Sequence, residues 1–232
     1  MKRLEELIPI LIQAENKKLE ACDYPVFLEH TIDQRNCAKW IKFIHLFNEQ
    51  RQSTSKPTSK PSCPVSGEPC YASSHTKLSF VVSLSRKGSQ QSMLSVIYVS
   101  ISQLNPKELI ATLDSCTLRQ QEGKGLNKLL RTIICHLLVT QLHCVWLYNF
   151  TSNPASEHLV TKYFKWQKSH DEDLHNRIAH VSQGDLVEFI GDYRSPSSPA
   201  YMALVALYRS LCALSSTTVT ASAVSPKRRR LA

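Results

Sequence analysis

The residues best placed to do chemistry lie in one stretch, Cys116 to Leu130, CTLRQQEGKGLNKLL, where a strand-like run meets a helix-like run through two glycines. The first backbone N–H groups of a helix have no acceptor within the helix. The helix dipole adds roughly half a positive charge there, so a phosphate can dock on main chain alone. Gly123 and Gly125 remove side chains that would collide with a diphosphate. They also permit the positive φ that lets neighbouring N–H groups converge on one anion. The pattern predicts a pyrophosphate site on the backbone of Gln121, Glu122, Gly123, Lys124, Gly125, Leu126 and Asn127. G-K-G alone is a weak motif, because such pairs also make ordinary turns. Two commoner phosphate loops are excluded. The dinucleotide fingerprint asks for three glycines and an acidic residue about 20 positions later at a strand end, whereas here there are two glycines and the next strand-like run ends at Asn149 and Phe150. A nucleoside-triphosphate loop needs lysine followed by serine or threonine, and Lys124 is followed by Gly125.

Metal chemistry finds less support. The eight cysteines scatter without a framework and read as reduced thiols packed as small hydrophobes. Cys63, Cys70 and His75 lack the paired two-residue gaps of zinc knuckles. His136 and His143 flank Cys135 and Cys144, but one falls on a helix and the other opens the next strand, so no two-ligand face results. No metal is expected.

The elements that must position the loop are legible to different degrees. Leu4, Leu7, Ile8 and Leu11 recur at helical spacing, with Pro9 kinking or opening that helix. Thr31 and Gln34 have capping-box spacing, and Cys37, Trp40, Ile41, Ile44 and Phe47 then mark one face of a second helix. RQSTSKPTSKPS, from Arg51 to Ser62, has no apolar side chain and reads as a flexible loop. LSFVVSLS and MLSVIYVSI form a predicted antiparallel hairpin around Gly88, and ELIATLDSCTL a further strand. Leu126, Leu129, Leu130, Ile133, Ile134, Leu137 and Leu138 mark the buried face of a strong helix. CVWLYNF is the continuous apolar run of a strand covered on both faces. Asn153 before Pro154 predicts an N-cap and a helix through about Tyr163. Strand, helix, strand, helix gives a parallel crossover. LVEFIGD reads as a strand, and Tyr201, Leu204, Val205, Tyr208 and Leu211 have helical period, so a helix is favoured over a strand reading of AYMALVALY.

This order resembles the GNAT superfamily of acyl-CoA-dependent N-acetyltransferases, well over Leu78 to Phe164 and loosely at the flanks. Gln120, Gly123 and Gly125 match the family's Q/R-x-x-G-x-G/A signature. A shifted register lays GKGLN over the family's arginine-glycine-lysine-glycine form, with Glu122 where arginine is usual and Asn127 where a small residue is usual. The resemblance implies a mixed α/β sheet with a parallel strand-helix-strand crossover and flanking helices. It implies direct attack of an amine on the thioester of acetyl-CoA or another acyl-CoA. The strand before the glycines would splay from the next, so that main-chain atoms of Cys116, Thr117 and Leu118 hold pantetheine and polarise the thioester carbonyl. Asp114 is the candidate base, and its bland alternative is an exposed strand aspartate. The second crossover helix resembles N-x-x-A-x-x-x-Y-x-K-x-G-F through Asn153, Ala155, Lys162, Tyr163 and Phe164, which places Asn153 at the cofactor. Leu159 or Val160 stands where the tyrosine is usual, and the glycine is absent. Tyr163 becomes the candidate acid if the helix is shifted, against a role in core packing. Direct transfer needs no nucleophile, so Cys116 reads as a buried thiol.

Hydrophobic residues at 42% and charged ones at 20% argue against wholesale disorder. No apolar run approaches the ~20 residues needed to cross a bilayer. The N-terminus lacks the apolar core and cleavage site of a signal peptide, so a soluble intracellular protein, without membrane, is expected. The division read from sequence is a helical part over 1–50, a flexible loop over 51–76, an acyltransferase core over 77–214 and a disordered basic tail over 215–232. The net charge is +9, and Lys227, Arg228, Arg229 and Arg230 supply four of it, leaving +5. Those four cations are expected to meet a nuclear-import receptor, giving a nuclear and cytoplasmic protein with Ser225 as a proline-directed phosphorylation site. Nucleic acid would gain only weak, salt-sensitive affinity from them. The acceptor is expected to be an amine, a protein lysine among the candidates, and HDEDL at His170 to Leu174 would favour a cation if it lies beside the cleft. A degenerate fold that binds acyl-CoA or a protein partner without turnover is the second class, and a basic nuclear adaptor the third.

Overall fold

The computed structural model describes residues 2–32, 76–88, 93–105, 108–118, 121–151, 153–169 and 187–213. Strands β1 (Val26–Ile32), β2 (Thr76–Arg86), β3 (Met93–Asn105) and β4 (Glu108–Thr117) lie side by side, antiparallel and in chain order. Helix α2 (Leu126–Thr140) then returns the chain, so that β5 (Cys144–Thr151) runs parallel to β4. Strand β7 (Val187–Asp192) pairs antiparallel with β5, and the short β6 (Gln167–Lys168) pairs with β7. The sheet order is β1-β2-β3-β4-β5-β7-β6. This is the mixed α/β sheet with a parallel crossover that the sequence predicts. Helices α1 (Lys2–Ala21), α3 (Pro154–His158) and α4 (Pro199–Ala213) complete the described elements, with a π-helical turn over Leu159–Tyr163.

Alternation along the strands separates two cores. Phe80 and Val82 of β2, Val99 of β3 and Leu113 of β4 point into one cluster with Ile8 and Ile12 of α1, Ile133 and Ile134 of α2, and Leu204 of α4. Each such side chain contributes roughly 1.5–3 kcal/mol on burial. Val81, Val96, Tyr98 and Cys116 form a smaller cluster, to which the intervening strand positions turn. A polar joint ties three helices together. The buried Glu15 of α1 accepts from Tyr208 Oη of α4 at 2.7 Å and from Lys18 Nζ at 2.7 Å, and His136 of α2 stacks on Tyr208 with ring centroids 3.5 Å apart. His136 therefore serves packing, and burial lowers its pKa. The thiols of Cys135 and Cys144 are pushed up to about 12 by burial. Among the described residues no group of three metal-ligating side chains converges.

One expectation is corrected and one pair of alternatives is narrowed. Thr31, read as a helix cap, lies in β1 opposite Val81, because pairing with β2 outweighs the local capping signal. Pro9 lies inside α1 and does not open it. The helix expected over Cys37 to Phe47, the loop from Arg51, Cys63, Cys70 and His75, the acidic run at 170–174 and the basic tail lie outside the described residues. No described helix is long and apolar enough to cross a membrane.

Gly191 on β7 is a packing constraint. Its small size admits the Trp166 indole, whose Nε1 donates to Tyr193 Oη at 2.8 Å. A Cβ there would stand 2.7 Å from Tyr193 Cε2 and 2.8 Å from Trp166 Cδ1, closer than side chains pack. Gly191→Ala is expected to lower stability by about 1–3 kcal/mol in urea denaturation. A midpoint equal to wild type would show that the indole moves aside without cost.

Candidate functional site

Pairing between β4 and β5 begins at Leu109↔Cys144 and ends at Thr112↔Tyr148. Both strands continue, β4 to Thr117 and β5 to Thr151, and each stays paired on its outer edge, β4 with β3 and β5 with β7. The two parallel strands thus part for their last residues. Beyond Thr112↔Tyr148 the β4–β5 ladder has no further pair among the described residues. Ser95 anchors the end of the parted strand to β3, with Oγ donating to the Cys116 carbonyl at 2.9 Å and sharing a hydrogen bond of 2.8 Å with Thr117 Oγ1. The Leu118 N–H donates to Leu94 O at 3.0 Å, and its carbonyl accepts from Gln121 N at 2.8 Å.

Directly after this strand the chain reaches the glycines. Gly123 and Gly125 have φ of 75° and 74°, the left-handed region that favours glycine. Gly125 caps α2, and its carbonyl accepts the Leu129 N–H at 2.9 Å. A Cβ built on either glycine meets nothing within 4 Å, so the space before the loop is open to a ligand. Lys124 Nζ donates to Gln121 Oε1 at 3.0 Å, which ties the loop to itself, and Glu122 is exposed. Leu126 packs on the large core, and Asn127 has a buried Oδ1 without a hydrogen-bond partner. The open space, the positive φ values and the first-turn N–H groups suit a diphosphate.

Asp114 lies in the parted half of β4, two residues past the last pair with β5. Register puts Tyr98, Asp114, Phe150 and Glu188 in one row on one sheet face, with the gap between Asp114 and Phe150. Asp114 keeps some accessible surface, yet protein surrounds its carboxyl closely enough that desolvation raises the pKa to about 6. The Arg131 charge and a backbone hydrogen bond at Ser115 pull the other way. Arg131 is fully buried on α2. Its Nη2 donates to Ser115 Oγ at 2.6 Å, and its guanidinium carbon lies 5.7 Å from the Trp166 ring centroid. Removing an ion of this size from water costs several kcal/mol, so a buried arginine beneath a parted strand calls for a reason.

Asn153 and Tyr163, the other predicted site residues after β5, lie on the second crossover. Asn153 caps α3, its Oδ1 accepting from Ala155 N at 2.9 Å, while its own N–H donates to Thr151 Oγ1 at 3.0 Å. Val160, at one of the two positions where the family's tyrosine is usual, is fully buried. The π-helical turn inserts one residue and so rotates the side chains beyond it about the helix axis. Tyr163 ends that turn with its ring against Lys128 Nζ of α2, 4.7 Å from the centroid, and Lys162 Nζ at 5.8 Å. It is thereby beside the first turn of α2. On the sheet, Cys116 is a buried thiol packed with Val81, Val96 and Tyr98.

Sequence reasoning passed over Arg131, Ser115, Trp166 and Glu188. A signal existed for Arg131, which shares the buried helix face with Cys135 and Leu138 at spacings of four and seven, where a lysine or arginine is out of place.

No protein-family model matches the chain, and no curated protein matches it in sequence. Among solved structures it is similar to spermidine N-acetyltransferase from Vibrio cholerae in complex with CoA and spermine, at 14% identity and a TM-score of 0.43, covering 75% of this chain and 98% of that one. It is also similar to a Klebsiella pneumoniae protein provisionally assigned as an acyl-CoA N-acyltransferase, at 13% identity and a TM-score of 0.44, covering 72% and 97%.

Asp114 makes a stability prediction whose sign is fixed. Its pKa is raised from 3.8 to about 6 on folding, so the folded state holds the proton more tightly. The stability this confers is complete below about pH 4 and is lost as pH rises towards 6, by roughly 2–3 kcal/mol. Asp114→Asn carries no titrating group, so its stability relative to wild type should rise by that amount between pH 4 and pH 7.5 in urea denaturation. A difference independent of pH would show that the carboxyl is not desolvated.

Proposed function

We propose that the chain is an acyl-CoA-dependent N-acyltransferase of the GNAT type. The observation that carries this reading is the parting of β4 from β5 immediately before a glycine loop at the head of α2. An open strand edge followed by an anion site suits an elongated ligand with a diphosphate at one end and an amide-bearing arm. Acyl-CoA has that form. Bound there, it supplies the activated acyl group.

The residues of the chain do the rest. Amides from Gly123 to Asn127 hold the diphosphate. The edge of β4 that faces away from β3, around Cys116 and Thr117, holds the pantetheine arm and orients the thioester carbonyl. Asp114 accepts the proton lost by the amine as its nitrogen bonds the acyl carbon and the carbon–sulfur bond breaks. A base titrating near 6 is mostly ionised at neutral pH and still basic enough to take that proton. Tyr163 is our candidate for returning a proton to the departing sulfur on the family resemblance alone, since its ring lies against Lys128 of α2 and packs on the large core. The acceptor we favour is an amine that is cationic in water, a protein lysine among them. Asp114 and Glu188 stand in one row on either side of the gap and favour positive charge.

Val160 supports a second reading, a fold that binds acyl-CoA without turnover, because it occupies a position where the family's tyrosine is usual and carries no proton donor.

Calorimetry with acetyl-CoA tests the shared part of both readings. Wild type should bind, and Gly125→Trp should lose roughly tenfold or more in affinity, since the indole fills the open space before the loop. Equal affinity in the two proteins would remove the loop from the ligand site. Turnover on a panel of lysine peptides and small amines separates the readings, release of CoA thiol supporting transfer and its absence across the panel supporting the binding protein.

A further inference from the structure

Arg131 holds a permanent positive charge inside the protein, because a guanidinium does not deprotonate in the working range. It is fixed from two sides. Its Nη2 donates to Ser115 Oγ at 2.6 Å, and its guanidinium faces Trp166, itself held by the hydrogen bond to Tyr193 and by an edge contact with Phe164 at 6.1 Å. Ser115 sits in the parted half of β4, next to Asp114, and turns to the α2 side while Asp114 turns to the opposite face. The charge therefore lies behind the strand that carries the carboxylate, with the strand between them.

We propose that Arg131 is a positioning residue for Asp114, fixed through Ser115 behind the parted strand so that its charge keeps the Asp114 carboxylate ionised for proton transfer. This rests on the proposed role of Asp114 as base. The indirect placement matters. A direct ion pair would drive the carboxyl far below neutrality and leave a poor base, whereas burial without a cation would leave it protonated. On the Asp114 face of the sheet, register places Tyr98 of β3 beside it, Cys116 two residues further along β4, Tyr148 and Phe150 of β5 across the gap and Glu188 of β7 beyond Phe150, with Arg131 behind from α2. Burial is the larger influence and raises its pKa, and the Arg131 charge and the backbone hydrogen bond at Ser115 oppose it.

The test reads the carboxyl itself. Carbon-13 NMR of the full chain labelled at aspartate carboxyls, with the Asp114 signal identified by its loss in Asp114→Asn, should give a wild-type midpoint near 6. Arg131→Gln keeps a donor for Ser115 but no charge, and should move the midpoint up by roughly one unit or more. Arg131→Lys keeps the charge and should return it towards wild type, a rescue that repacking alone would not give. An unmoved midpoint in Arg131→Gln overturns the proposal. Should that variant fail to fold, Ser115→Ala replaces it by releasing the guanidinium from the strand, with an upward midpoint expected and an unmoved one overturning. The acid limb of kcat/KM for acetyl transfer should follow the NMR midpoint. If the midpoint moves and the limb does not, Asp114 is not the base, and its proposed role falls together with that of Arg131. If Asp114→Asn abolishes the limb while Arg131→Gln leaves the midpoint in place, only the inference about Arg131 falls.

Discussion

Parallel strands β4 and β5 pair as far as Thr112↔Tyr148 and then separate, and the rest of the site depends on that separation. A strand edge inside a sheet is normally closed by its neighbour, since each main-chain group needs a partner. Here the outer ladders with β3 and β7 persist to the strand ends, so the opening lies between two paired strands and is not a frayed terminus. The short paired stretch fixes where the opening starts. α2 begins just beyond it, so the glycine loop and the parted edges belong to one continuous groove in our reading.

Two opposing electrostatic demands meet at this opening. A carboxylate placed where water is scarce rises in pKa, and a cation nearby lowers it again. Burial raises the Asp114 carboxyl to about 6, and the charge of Arg131, on the other side of the same strand, pulls against it. Neither residue serves stability on its own, because an ionised carboxylate and a guanidinium both lose hydration when buried. Trp166, Tyr193 and the small Gly191 beside them provide the packing that holds the guanidinium in place.

Much of the central fold was legible because its signals are local. The apolar runs of β2, β3, β4 and β5, the helical face of α2, the capping pair Asn153 and Pro154 and the two glycines each declare themselves within a dozen residues. Strand β1 did not, since Val26–Ile32 is a half-exposed edge strand whose partner lies some fifty residues away at Phe80 to Arg86. The capping signal at Thr31 competes there and loses to pairing. The parting of β4 from β5 was implied by the family resemblance, not by the residues, because nothing in LIATLDSCT says which neighbour it will leave. Arg131 was masked by the leucines and isoleucines around it, which account for the helix without it. The π-helical turn has no sequence signature that we recognise, and it changes which side chain reaches α2.

A crystal structure of the chain grown with CoA tests the parted-strand groove most directly. The diphosphate is expected within hydrogen-bond distance of main-chain N–H groups between Gly123 and Asn127, and the pantetheine arm between Leu113–Thr117 of β4 and Asn149–Thr151 of β5. CoA bound elsewhere, or a β4–β5 ladder that closes beyond Thr112↔Tyr148 and shuts the ligand out, would contradict it.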